Sequence, residues 1–362
     1  MRINRRSTLL GALGLATLTA CSPEEAPPPR APLPSSCVPS DPPNCVSLET
    51  HDFSAIYLCS SPRSDEDYVF PSRDYGFELI LGDGVLSAYY RNAIVEWDLT
   101  TRKPTRLLGA ARTTIGAFTR TPSHTVAATT DDRIAVHDQN GCLTGYLASA
   151  PNSTHRTRSD YLCALPEGRV AGLDNYGRVC VWDTASLRLI DQVRLPLSNW
   201  PSSLAWDAAN RRLVLSQNRG QQVVFLDPDS LSTYTIRGDL PTVLEPWAPM
   251  PDGTLAACGD GSGKEGVWLL RDNQQPNRIT ETYYKRLRVA SSGQLLAIRD
   301  SHFAIIDRQN IWESTAEAFG QEWVNFAFAP DGDTAYLLRY TDPILEVSLK
   351  TGEAREFAVP GE

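Results

Sequence analysis

Two short motifs recur together seven times along this 362-residue chain. A repeat at a period of about 40 residues constrains the fold more than any composition value could. The first motif is a β-type run that closes on or near an acid: Ala93–Asp98 (AIVEWD), Arg133–Asp138 (RIAVHD), Arg178–Asp183 (RVCVWD) and Gln222–Asp227 (QVVFLD). Gly266–Arg271, His302–Asp307 and Pro343–Ser348 complete the series, whose last residues stand at 98, 138, 183, 227, 271, 307 and 348. The second motif runs in phase upstream of each: a strand, a tight turn, a second strand. Its clearest copy is Phe326–Leu337 (FAFAPDGDTAYL). Pro presets φ, Asp bonds the local backbone and Gly accepts positive φ, so Pro-Asp-Gly is a turn with a mechanism. Met250–Gly253 and Leu165–Gly168 repeat it, and Gly82–Gly84, Thr121–Ser123, Ala209–Arg211 and Ser291–Gly293 are weaker copies.

Each unit therefore reads strand, turn, strand, short link, strand ending in Asp, turn, strand. Four strands in about 40 residues is the spacing of a propeller blade. A lone blade cannot bury both of its faces, whereas blades packed radially can. The expectation is an all-β protein, a β-propeller of seven four-stranded blades, with six or eight still open. Full blades would span about residues 74–358 of a body at 46–362. The bias to 13 Tyr, 8 Trp, 24 Gly and 26 Pro against 2 Met agrees with a turn-rich β fold. Phe53–Leu58 reads as a strand ahead of the first full blade, at an outer edge or in a partial eighth blade.

Glu96-Trp97-Asp98 and Val181-Trp182-Asp183 resemble the Trp-Asp ending of WD repeats. The turn Ala329-Pro330-Asp331-Gly332 with Thr334–Leu338 behind it resembles bacterial YVTN-type and related WD-like propellers. The Gly-His that opens the WD repeats of eukaryotic proteins is missing. The resemblance implies a fold and no particular function, because propellers host many activities.

The N-terminus reads as an address. Arg2, Arg5 and Arg6 precede an uncharged, largely apolar run, Ser7–Ala20, of 14 residues. That is short of the roughly 20 residues of a membrane span and suits a signal-peptide core. Leu18-Thr19-Ala20-Cys21 resembles the bacterial lipobox, which implies cleavage after residue 20 and acylation of Cys21 by fatty acids such as palmitate. Ser22 behind it implies the periplasmic face of the outer membrane, with the inner membrane or cell surface open. Asn4–Leu10 also resembles a twin-arginine signal without its usual aromatic and Lys, so Sec and twin-arginine export both stand. Residues 21–45 are Pro-rich and read as a semi-rigid tether. Cys37 and Cys45 bracket a loop in it, and an oxidising compartment would allow a disulfide there.

Charge narrows the partners. The chain carries a net −9, and losing residues 1–20 removes three Arg and no acid, leaving −12. A general nucleic-acid binder would be basic. The expectation is a membrane link through the N-terminal lipid only, and no nucleic acid.

Chemistry is sparse. His51, His124, His137, His155 and His302 show no metal-ligand spacing, and neither a metal nor a cofactor is expected. Gly259–Lys264 (GDGSGK) imitates a phosphate loop but has Glu265 where Ser or Thr should stand and no helix behind it. The repeated Asp98, Asp138, Asp183, Asp227 and Asp307 read as caps of the following turn. Seven Cys follow Cys21; Cys163 and Cys180 share a blade, and Cys59, Cys142 and Cys258 have no evident mate. No catalytic residue is assigned. Inter-blade loops and second-to-third strand loops share one propeller face, and Trp200, Trp247, Tyr283, Tyr284 and Trp323 mark it as the candidate binding face. The leading reading is a non-enzymatic lipid-anchored scaffold that binds a protein or peptide. Two others stay open: an enzyme or enzyme subunit (a lactonase-like hydrolase or a dehydrogenase propeller chain), and a cell-wall or carbohydrate binder.

Overall fold

A computed structural model describes residues 79–357, apart from residues 83, 91–92, 109–114, 130–132, 149–158, 198–199, 218–221, 239, 242, 261–263, 285, 300–301, 308–309, 316–322, 330, 340–343, 350 and 352. Cys21, Cys37, Cys45, Cys59 and the expected strand Phe53–Leu58 lie outside the described residues.

Seven sheets follow one another, each of four antiparallel strands in chain order. The blades span residues 79–108, 115–146, 161–194, 201–237, 243–280, 286–315 and 323–356. The first strands of successive blades are neighbours all the way round, and the first strand of blade 7, Trp323–Phe328, also neighbours that of blade 1, Leu79–Gly82. The ring is closed, and it is a seven-bladed propeller. Among the described residues no helix is long and apolar enough to cross a membrane.

Alternation along the middle strands explains why a ring forms. In blade 4, Leu213 and Leu215 pack towards blade 3 while Val214 packs towards blade 5. A strand with apolar residues on both faces needs a partner on each side. Seven apolar clusters result, one at each junction. The closing junction is of the same kind: Leu86, Val95 and Trp97 of blade 1 meet Tyr336, Leu338 and Phe357 of blade 7. Arg102 adds an ion pair to Glu346 across it at 2.6 Å.

The turns are built as the sequence implies. Asp98 accepts the backbone N–H of Thr100 (3.0 Å) and Thr101 (2.7 Å), and Asp138 those of Asn140 (2.8 Å) and Cys142 (2.9 Å). Asp183 does so with Ser186 at 2.6 Å and Asp227 with Asp229 at 2.9 Å. The hydrogen bonds from Thr101 hold Asp98 below the usual carboxylate range, and those from Ser186 do the same for Asp183.

One junction is polar. A cross-strand row of blade 1, Ser87–Glu96–Arg106, faces a cross-strand row of blade 2, Arg120–Thr125–His137. Glu96, 1% exposed, accepts on Oε1 from Arg120 (2.8 Å), Thr125 (3.4 Å) and Ser87 (3.5 Å), with Arg106 3.7 Å from Oε2. His137 stands where blades 1 and 3 carry Trp97 and Trp182. Burial lowers its pKa to about 4, against a backbone hydrogen bond with Thr125 and the Asp138 charge, which raise it. Between pH 6.5 and about 4 the unfolded chain takes up a proton that folded His137 refuses, so stability falls as pH falls through that window. The drop attributable to His137 is up to roughly 3 kcal/mol, and denaturant titrations at pH 7 and pH 4.5 should show most of it. His137→Phe should flatten the difference. Glu96→Ala should cost about 3–5 kcal/mol at neutral pH, because it strands Arg120 in the junction.

Candidate binding face

Meander topology divides the ring's ends. First-to-second and third-to-fourth strand turns lie on one end, the turn face; inter-blade connections and second-to-third turns lie on the other, the loop face. The turn face is latched. The residue opening the second strand of one blade reaches the third-to-fourth turn of the next: His124 to Thr184 (3.0 Å), Arg169 to Asp229 (2.5 Å), Arg212 to Asp272 (2.9 Å). The Thr184 hydroxyl donates to the Gly168 carbonyl at 2.6 Å, and His124 Nδ1 also lies 2.9 Å from the Ser123 hydroxyl.

On the loop face, blade 3 carries an ordered platform. Its second-to-third turn, residues 174–177, is Asp-Asn-Tyr-Gly. The Asp174 carboxylate accepts the N–H of Tyr176 and of Arg178, both at 2.8 Å. Gly177 sits at φ +77°, and a Cβ there would come within 2.9 Å of Leu197 Cδ1. The turn is tied to both flanking inter-blade loops: Asn175 N–H donates to Asp160 Oδ2 (3.0 Å), and Leu195 N–H to the Gly177 carbonyl (2.9 Å). Tyr161 Oη donates to the Pro201 carbonyl at 3.4 Å. Two aromatic rings stand out from this frame, Tyr176 at 58% and Trp200 at 68% exposure. Rings held by an ordered backbone lose little freedom on contact, which makes them efficient binding anchors.

The structure separates the five expected aromatics. Trp200 is exposed and Tyr283 is half-buried. Trp247 and Tyr284 are not on the surface: they are 3% and 2% exposed, in the junctions of blade 5 with blade 4 and of blade 6 with blade 5. The expected loop around Trp247 is the first strand of blade 5, Val243–Pro249. Trp323 opens the first strand of blade 7, and its side chain lies outside the described residues. Trp247 occupies a recurring first-strand position that faces the preceding blade, with Leu79, Phe118, Leu162, Leu204, Leu287 and Phe326. That third periodic position is visible in the sequence once Phe118 and Phe326 are aligned. Tyr176 had no such signal beyond an aromatic inside a turn of Asp, Asn and Gly.

The platform offers contact surface rather than shifted acids or bases. Groups with large shifts lie elsewhere: burial pushes Cys180, Cys258 and Tyr336 up to about 12. Cys163 and Cys180 sit on the first and third strands of blade 3, with the second strand between them, and Cys180 is a buried thiol. Among the described residues no group of three His, Cys, Asp or Glu side chains could hold a metal ion.

The two tryptophans should respond oppositely to truncation. Trp247→Ala should cost about 3–5 kcal/mol by opening a cavity, while Trp200→Ala should stay within about 0.5 kcal/mol of the parent, both read by denaturant unfolding. No protein-family profile matches the sequence, and no curated protein matches it either. Solved structures do match. PorZ of Porphyromonas gingivalis, described as an essential bacterial surface component of the type-IX secretion system, aligns over 78% of this chain at 12% identity and a TM-score of 0.57; this chain spans 38% of PorZ. The WD40 domain of Neurospora crassa Pan2 aligns over 74% of this chain and 87% of its own at 11% identity and a TM-score of 0.56. A chain of a mitotic checkpoint complex aligns over 90% and 96% at 13% identity and a TM-score of 0.58. At these identities the likeness is one of fold: a propeller with WD40-like structural neighbours.

Proposed function

We propose that this chain is a lipid-anchored envelope scaffold whose propeller binds a partner protein through the blade 3 platform. The exposure of Trp200 and Tyr176 on a hydrogen-bonded frame carries the binding half. Exposed aromatic rings of this kind are the side chains that interfaces most often use as anchors. The envelope half is supported by the leader: Arg2, Arg5 and Arg6, then Ser7–Ala20, then the lipobox-like Leu18–Cys21. An acidic body of net −12 after cleavage is repelled by anionic lipid, so Cys21 is the anchor. PorZ, a bacterial surface component of a secretion system, and a chain of a mitotic checkpoint complex share the fold, which is consistent with a protein partner.

The test pairs two readouts in cells. A photo-crosslinking amino acid at position 200 should trap a discrete protein adduct, and one at Arg211, in a turn-face turn, should not. Adducts of equal yield from both positions, or of glycan alone from position 200, would contradict the reading. Cys21→Ser should move the chain from the membrane fraction to the soluble fraction; retention in the membrane would remove the lipid anchor from the account.

A further inference from the structure

Fourth strands are the outer strands of the described sheets, and the far side of an outer strand is a place where another strand can pair. Proteins usually blunt such edges with bulges, charge or short length. In blades 1, 2, 3 and 5 the third-to-fourth pairing carries a register shift, at Glu96/Trp97, Val136/His137, Val181/Trp182 and Val267/Trp268. In blade 7 the fourth strand is only Ala354–Glu356, Ala-Arg-Glu. Blade 4 has no such register shift, and the one charged residue of its fourth strand, Arg237, is bonded to the backbone of blade 5. Its fourth strand, Tyr234–Arg237, pairs with Val223–Leu226 in unbroken register and exposes Tyr234 and Ile236 at 38% each. Blade 6 is also unbroken; beside blade 4 the described residues form a groove along the edge.

That groove holds about 640 Å³. One wall is the edge strand and its extension, Thr235–Gly238; the other is the blade 5 turn Asp272–Gln275. The base is preset: the Arg212 guanidinium stacks 4.0 Å from the Phe225 ring centroid and donates to both Asp272 oxygens, at 3.0 and 2.9 Å. Arg237 ties the two walls by donating to the carbonyls of Arg271 (3.0 Å) and Gln274. A Cβ added to Gly238 would meet nothing within 4 Å, so the end beyond Arg237 is open.

The two sides of the edge differ. Thr235 and Arg237 pair with Phe225 and Val223, which pack towards blade 5, so they share the grooved side. Tyr234 and Ile236 pair with Leu226 and Val224, which pack towards blade 3, so they form an open apolar side. A strand laid on this edge would see polar walls at every second residue and Tyr234 with Ile236 at the residues between. Edge addition draws affinity from backbone hydrogen bonds and specificity from such alternation.

We propose that this edge takes up an extended segment of a partner protein as a fifth strand of blade 4. The segment alternates apolar residues, which lie on Tyr234 and Ile236, with small or polar residues, which enter the groove among Thr235, Asn273 and Gln275. The site is on the rim and independent of the Trp200 platform.

A random dodecapeptide display library, panned on the full chain, tests this. Enriched peptides should alternate apolar and polar residues. They should lose roughly tenfold or more of their affinity on Tyr234→Lys/Ile236→Lys, which puts charge on the edge, and keep it on Trp200→Ala. N-methylation of alternate backbone amides in an enriched peptide should abolish binding, an arm that decides the matter even if the double variant does not fold. No enrichment, enriched peptides without alternation, or binding that survives both the double variant and N-methylation would overturn the proposal.

Discussion

A four-stranded blade with apolar residues on both faces cannot stand in water on either side, and everything else in this molecule follows from that. Val214 points one way and Leu213 and Leu215 the other, so blade 4 needs both neighbours. The same holds at each step of the ring, and the closing junction of Leu86, Val95 and Trp97 with Tyr336, Leu338 and Phe357 is no different in kind. Each blade is continuous in sequence, so closure depends on side-chain packing and on the Arg102–Glu346 pair among the described residues. A partly formed ring leaves two apolar faces bare, which makes the ring cooperative in a way that an open repeat array is not.

Polar groups then mark where the ring is rigid and where it is free to act. The turn face is laced by His124–Thr184, Arg169–Asp229 and Arg212–Asp272 across consecutive junctions. The junction of blades 1 and 2 accommodates a buried carboxylate between two arginines, with a histidine where blades 1 and 3 hold tryptophan. Such burial confers stability only while every charge keeps its partner. The loop face and the rim carry the exposed apolar groups instead. Tyr146, Tyr176, Ile190, Trp200, Tyr234 and Ile236, the large hydrophobics exposed among the described residues, lie in blades 2, 3 and 4 or, for Trp200, in the connection between blades 3 and 4. Among the described residues, that sector carries the exposed apolar side chains.

What was legible in the sequence follows the range of the interactions. Blade number and turn positions are set by local chemistry: Pro-Asp-Gly bends the chain wherever it occurs, and Asp98, Asp138 and Asp183 cap turns two or three residues ahead. Whether an aromatic points to solvent is set by the blade next door, some 40 residues away. Trp200 and Trp247 look alike in composition, each beside Pro near a blade boundary, yet Trp247 lies after the bend of a first strand and faces Phe225 and Leu240. Tyr176 carries no sequence signal because its turn is short and polar, although Leu195 and Asp160 hold that turn in place from other loops. The blade 4 groove draws on two blades at once and has no linear signature.

The central claim is that neighbouring blades supply each other's missing face. Its most direct test is to end the chain at residue 315, which removes blade 7 alone, and to follow thermal unfolding by near-ultraviolet circular dichroism and calorimetry. The account predicts loss of the cooperative transition and of the aromatic signal from all blades, including Trp182 and Trp247, which lie far from the cut. A cooperative transition with the aromatic signal of the remaining blades intact would contradict it.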